Sequence, residues 1–210
     1  MPKPIRYLLY VAVIALLAYN SVYFKKLDEV KAGTGAFDAA GYAKDFWAKK
    51  LMPGLPKAVE LGALTAQLKT EKDKAFEQHS HALGIGNIGY FLVKGKGTVT
   101  DVSENEVSVA LSVGGEGAGN VRIATEYIFG NAVRDASGAI DINAFTNSMD
   151  FNNVSAEINK LIRKKVIPPF KSNVQKGDRV AFHGAIELNR GHLQLNSIEI
   201  IPVSLQIEKP

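Results

Sequence analysis

The sequence predicts an α+β chain: a closed barrel of five β-strands behind an N-terminal helical hairpin, with one transmembrane helix at the start. Three observations carry that expectation. An uncharged, largely apolar run occupies Tyr7–Phe24. Apolar residues recur at helical spacing over 37–83 and then switch to period two. A further helical stretch falls between the third and fourth alternating strands.

The composition is that of an ordinary globular chain, 46% hydrophobic and 22% charged over 210 residues. It excludes whole-chain disorder, collagen and a multi-span membrane protein. The net charge of +4 is placed unevenly. Residues 1–26 hold Lys3, Arg6, Lys25 and Lys26 and no acid, which leaves 21 basic residues against 21 acidic ones. The remainder is neutral and lacks the broad basic surface that nucleic acid requires. There is no cysteine, so disulfides, Cys–zinc sites, a thiol nucleophile and a lipid-bearing cysteine are excluded within this sequence.

Tyr7–Phe24 spans roughly 18 residues, which at about 1.5 Å each approaches a hydrocarbon core of roughly 30 Å. Tyr7, Tyr10, Tyr19 and Tyr23 lie towards its ends, as interfacial aromatics do. Residues 1–26 are therefore expected to be an uncleaved anchor, with the membrane as a partner through 7–24 and the C-terminal part facing the periplasm. A cleaved signal peptide is the competing reading; Ala18-Tyr19-Asn20 matches a cleavage site poorly. A buried soluble helix is the third.

Residues 27–36 read as a linker, and 37–83 as helices. Asp38 is a candidate N-cap, followed by Tyr42, Phe46, Trp47 and Leu51 on one broad face. Pro53 and Pro56 are expected to break that helix. A second runs through Val59, Leu61, Leu64 and Leu68, and a more polar one from Thr70 to about His81. Residues 84–210 carry the barrel. Strands are expected over Tyr90–Thr100, over Val107–Val113 and from Val121 to Phe129, with Gly114–Asn120 as a turn. An irregular insert, 130–151, precedes a helix over 152–166 that starts at Asn152 or Asn153 and ends before Pro168. The fourth strand places Val180, Phe182, Ile186 and Leu188 on one face. The fifth covers Leu193–Leu205, where the apolar phase slips before Ile198 and again near Pro202, as at bulges or barrel corners. Three strands, a helix and two strands is the order of an OB-fold barrel.

Several motifs carry less than they suggest. Gly84–Gly89 matches G-x-G-x-x-G, but a helix precedes it and a strand follows, the reverse of a dinucleotide site. His79 and His81 do not share a helix face, and no further ligands accompany them or His183 and His192. Neither a G-x-S-x-G elbow nor an S-x-x-K motif is present. No catalytic set, metal site or cofactor is expected. The rings of Tyr90, Phe91, Tyr127 and Phe129 fit core positions better than a nucleic-acid stacking platform.

The polar run Gly130–Ala136 is the best candidate site. Adjacent Arg134 and Asp135 point apart in extended chain, so each is expected to find a separate partner. With Asn147 and Asn159 downstream they would hold a sugar or a peptide backbone. The plainer reading is that Arg134 and Asp135 pin the insert to the barrel and Asn147 caps a turn.

Five segments together resemble a known family. They are FDAAGYAKDFWAKKLMP (Phe37–Pro53), YFLVKGKGTV (Tyr90–Val99), GNAVRDASG (Gly130–Gly138), FTNSMDFNNVSAEIN (Phe145–Asn159) and GDRVAFHGAIEL (Gly177–Leu188). In this order they resemble the bacterial family of predicted periplasmic lipoproteins, a domain of unknown function. The resemblance implies an extracytoplasmic domain. Its members are often encoded beside sugar ABC transporters, which implies an accessory or scaffold role in an envelope complex with a transporter or other envelope protein as partner. Three positions depart from the family pattern: the lipid-bearing cysteine is missing, Asn131 stands for threonine, and Ser148 stands for glutamine. The expected function is non-enzymatic, with small-ligand binding through 130–159 as the alternative.

Overall fold

A computed structural model describes residues 2–21, 37–82, 86–112 and 119–208. It divides into two compact units, Met1–Phe37 and Asp38–Pro210.

In the first unit, α1 spans Lys3–Ser21. The anchor expected over Tyr7–Phe24 is not supported: among the described residues no helix is long and apolar enough to cross a membrane. Lys3 and Arg6 take up its first turn, which leaves Tyr7–Ser21 as its uncharged part. The end of the expected span and the linker 27–36 lie outside the described residues.

The second unit is built on a closed five-stranded barrel. Its strands are β1 (Ile88–Val102), β2 (Glu106–Leu111), β3 (Asn120–Ala124), β4 (Arg179–Asn189) and β5 (Glu199–Glu208). They run in the order β1-β2-β3-β5-β4, and β4 returns to pair with β1. All these pairings are antiparallel except β3–β5, where Arg122 and Ile123 lie parallel to Glu199 and Ile200. β1 closes the barrel because it is long enough to serve two neighbours, β4 along Ile88–Thr98 and β2 along Gly97–Val102. The Phe182 ring packs over Gly95 on the paired strand, where a Cβ would sit 2.7 Å from it.

Alternation divides β1 between two cores. Phe91, Val93 and Val99 face the barrel interior with Val107, Val109, Ile123, Phe182, Ile186 and Ile200. Tyr90 and Leu92 face outward beneath the helices. The slip expected near Pro202 is present, as a register shift at His183–Gly184 opposite Ser204 and Pro202. It lets β5 give Ile200 to the inner core and Ile201 and Val203 to the outer one.

Helices close both cores. α2 (Ala39–Phe46) is capped by Asp38, whose Oδ1 accepts the Gly41 N–H at 2.8 Å. It continues through a π-turn, Trp47–Leu51, and a helical turn at Met52–Gly54, so Pro53 does not end it. α3 (Leu61–Thr70) and α4 (Lys72–His79) cover the inner core with Leu61, Leu64, Leu68 and Phe76. Val59 belongs to neither helix; Val59–Glu60 pairs in parallel with Val93–Lys94 of β1. α5 (Ala132–Ala136) lies within the insert expected to be irregular. α6 spans Ser148–Leu161 and runs on through a π-turn, Ile162–Val166, into α7 (Ile167–Lys171). The helix expected from Asn152 or Asn153 starts earlier because Asn147 caps it. The fifth strand starts later than expected, at Glu199, since the residues before it form a loop.

Truncating the buried ring in Phe182→Ala is expected to cost about 3–5 kcal/mol, readable as a shift of the urea midpoint. Burial, and then the nearby Lys94 ammonium, push the His183 imidazole below its ordinary value. The unfolded chain therefore takes up a proton near pH 6.5, and the folded chain takes it up only at a lower pH. This contribution to stability is fully present above that pH and is lost as pH falls through it. The difference in urea midpoint between the parent and His183→Gln should change in the parent's disfavour on going from pH 7.5 to pH 5.5.

Candidate functional site

The insert between β3 and β4 builds the site. Strand β3 stops at Ala124 because Thr125 leaves the ladder: its N–H donates to Asn105 O at 2.9 Å and its hydroxyl to Glu104 O at 3.3 Å. The alternation then shifts by one residue. Ile128 becomes the buried side chain, and Tyr127 and Phe129 are 62% and 70% exposed. The core positions expected for these two rings are corrected accordingly.

Arg134 and Asp135 lie on α5 and are 4% and 6% exposed. They do not take separate partners, as expected of an extended segment; on a helical turn they pair with each other. Arg134 Nε donates to Asp135 Oδ1 at 2.6 Å and Nη2 to Oδ2 at 3.1 Å. Nη1 donates to Phe151 O at 3.2 Å and to Asn152 Oδ1 at 3.4 Å. The guanidinium lies 3.5 Å from the centre of the Phe151 ring. A charge buried this deeply is tolerable only with such a complete set of partners. The pair therefore fastens α5 to the first turns of α6.

The two asparagines sit elsewhere. Asn147 is exposed at the start of α6, where its Oδ1 accepts the Asp150 N–H at 2.8 Å and its Nδ2 donates to Asp150 Oδ2 at 2.8 Å. Asn159, 5% exposed, donates from Nδ2 to Gly130 O at 2.9 Å. One turn further on, Arg163 Nη1 donates to Ile128 O. Helix α6 thus grips the backbone on both sides of Phe129.

That grip shapes a cleft of about 590 Å³. One wall is Tyr127, Phe129 and Asn131, and the floor includes Arg122, Glu187 and Leu188. The other wall is the β4–β5 loop, with His192, Gln194 and Ser197. None of Arg134, Asp135, Asn147 and Asn159 lines it. The loop wall is braced: Asn189 Oδ1 accepts the Gly191 and His192 N–H groups at 2.9 and 3.1 Å. Arg190 Nε bonds Asp73 Oδ1 on α4 at 2.8 Å. Arg122 ties loop to barrel, donating to Ser197 O at 3.3 Å and Glu106 Oε2 at 3.4 Å. Asn131 precedes α5 without capping it through its side chain, so the helix does not use its carboxamide.

Tyr90 connects the buried pair to the cleft. Its phenol is pushed above the ordinary value, chiefly by burial and then by the Glu187 and Asp135 charges, against the opposing Arg134. Tyr90 stands opposite Glu187 in the β1–β4 register, which places the phenol beside that carboxylate at the cleft floor. The other sequence candidates fall apart. Gly84 and Ile85 lie outside the described residues, whereas Gly89 is part of β1. His79 bonds Gln67, and among the described residues no group of three or more His, Asp or Glu is placed to hold a metal. Sequence reasoning missed the β4–β5 loop, because Gln194 and Ser197 have no pattern. The signal available for the rings was Thr125, a hydroxyl at a core phase.

Comparison with known proteins agrees with this architecture. Residues 12–206 match the family described as "Predicted periplasmic lipoprotein", a domain of unknown function, and the chain belongs to that family. The family supports an extracytoplasmic location. The barrel is also similar to a crystal structure of an OB-fold protein from Thermotoga maritima, with a TM-score of 0.72 at 22% identity. The match covers 82% of this chain and 99% of that one, and it shows the fold. Among curated proteins, none matches.

Removing the guanidinium in Arg134→Ala strands a buried carboxylate and is expected to cost about 3–5 kcal/mol. Asn147→Ala loses only an N-cap, about 1 kcal/mol. Urea unfolding of the two variants checks the order; comparable losses would contradict the assignment of Arg134 as the brace.

Proposed function

We propose that this member of the periplasmic lipoprotein family is a non-enzymatic, extracytoplasmic binding module that holds a sugar-like ligand in the cleft beside Tyr127 and Phe129. The observation that carries this reading is the pairing of two exposed rings with planar polar side chains. Large aromatics left in solvent on a braced wall call for an apolar partner. The C–H face of a pyranose supplies one, while its hydroxyls need donors and acceptors in a ring around it. Asn131, Gln194, Arg122 and Glu187 provide both kinds at the same cleft. OB barrels use the β4–β5 loop and the face of the second and third strands for ligands. This cleft opens between that loop and β3. Arg134, Asp135 and Asn159 act as positioning residues for the wall.

The biological setting that fits is an accessory role beside a carbohydrate transporter, with the transporter or another envelope protein as partner. Helix α1 exposes Leu8, Val11, Ile14 and Leu16 behind Lys3 and Arg6, a composition suited to meeting a lipid surface.

Isothermal titration with a panel of mono- and disaccharides tests the reading. Saturable binding is expected for at least one sugar. Tyr127→Ala and Phe129→Ala should each weaken it roughly tenfold, about 1.4 kcal/mol, near the upper end for a ring contact. Both rings are exposed, so the variants should unfold at the parent's urea midpoint. A panel without binding, or binding indifferent to both substitutions, would overturn the proposal. Recovery of a converted sugar would overturn its non-enzymatic part.

A further inference from the structure

A second cleft, of about 390 Å³, lies between the 50–59 segment, the end of α4 and the loop after α5. Its chemistry is unlike that of the first. Lys50, Lys57, Gln78, His79 and His81 line it, and among the described residues no aspartate or glutamate does. Two ammonium groups, two imidazoles and a carboxamide therefore face one concavity with no carboxylate among its described lining. Such a concavity focuses positive potential and attracts an anion.

Local structure holds several of these groups in place. Lys50 Nζ donates to Ala139 O at 3.3 Å, which keeps the ammonium at the rim. Gln67 Oε1 contacts His79 Nε2 at 3.1 Å, and Gln67 Nε2 donates to Gln78 Oε1 at 2.9 Å. With its Oε1 engaged, Gln78 retains its amide N–H groups as donors. The His81 ring lies against Gly138, where a Cβ would come within 2.4 Å of it. Gly138 also has φ +61°, a conformation that side chains disfavour. The backbone turn and the ring position at this wall both depend on that glycine.

We infer that this cleft binds a phosphate group, either as the free ion or as the head of a small phosphate monoester. A phosphate oxygen accepts from an ammonium, an imidazole N–H or a carboxamide N–H, the three donor types present. The site is separate from the sugar cleft, and the two share no lining residue.

Titration of the whole chain with inorganic phosphate and with methyl phosphate, at constant ionic strength, tests this. The readouts are calorimetry and the imidazole proton resonances of His79 and His81. Saturable binding that shifts both imidazoles is expected. Lys57→Gln and His81→Gln should each weaken it at least fivefold, whereas Tyr127→Ala should leave it unchanged. Lys57 and His81 are exposed, so both variants should keep the parent's circular dichroism. Binding of phosphate alone identifies a free-ion site, and binding of both identifies a monoester head site. No saturation up to tens of millimolar, or an affinity untouched by Lys57→Gln and His81→Gln, would overturn the inference.

Discussion

The buried guanidinium of Arg134 is the constraint on which the functional half of the molecule depends. An arginine that is 4% exposed must find its partners inside the protein. It finds them on both sides of the insert: the Asp135 carboxylate on its own turn, and the Phe151 carbonyl, the Asn152 side chain and the Phe151 ring on α6. Satisfying one charge thereby fixes α5 against α6. Once α6 is placed, Asn159 and Arg163 reach the carbonyls of Gly130 and Ile128, and the ring-bearing wall of the cleft is set.

The barrel supplies the opposite wall by a different route. Its closure rests on β1 pairing with both β2 and β4, and on the bulge at Gly184 that divides β5 between two cores. The β4–β5 loop then emerges beside β3 and is held by Asn189, Arg190 and Arg122. Preorganised walls reduce the ordering cost of binding. The rings can therefore stay exposed without a hinge to close over them. The phosphate cleft is built from other elements, the 50–59 segment and the end of α4, so one chain would hold a neutral and an anionic ligand independently.

Much of the barrel was legible in the sequence because period-two alternation reports burial directly. Val107, Val109, Val180, Phe182 and Ile186 are core residues in the phase their spacing gives, and the slip near Pro202 marks a real bulge. The misses share one cause: hydrogen bonds that cut across the pattern. Thr125 ends β3 by bonding the β1–β2 turn, which turns Tyr127 and Phe129 outward. Asn147 starts α6 at Ser148, four or five residues ahead of the start its apolar spacing gives. Arg134 and Asp135 pair because α5 is a helical turn, and five residues inside a polar insert give no periodic signal for it. The apolar run at the N-terminus was conspicuous, but among the described residues no helix is long and apolar enough to cross a membrane. The cleft itself was illegible, since it is assembled from loop residues with no spacing in common.

The central claim is that a sugar-like ligand sits on the ring-bearing wall that α6 holds in place, and amide chemical shifts measured during a sugar titration test it most directly. The account predicts shifts concentrated at Tyr127–Asn131, at Glu187–Asn189 and along the β4–β5 loop, with Arg134 and Asn147 undisturbed. Shifts centred instead on the first turn of α6 around Asn147, or spectra unchanged by every sugar offered, would contradict it.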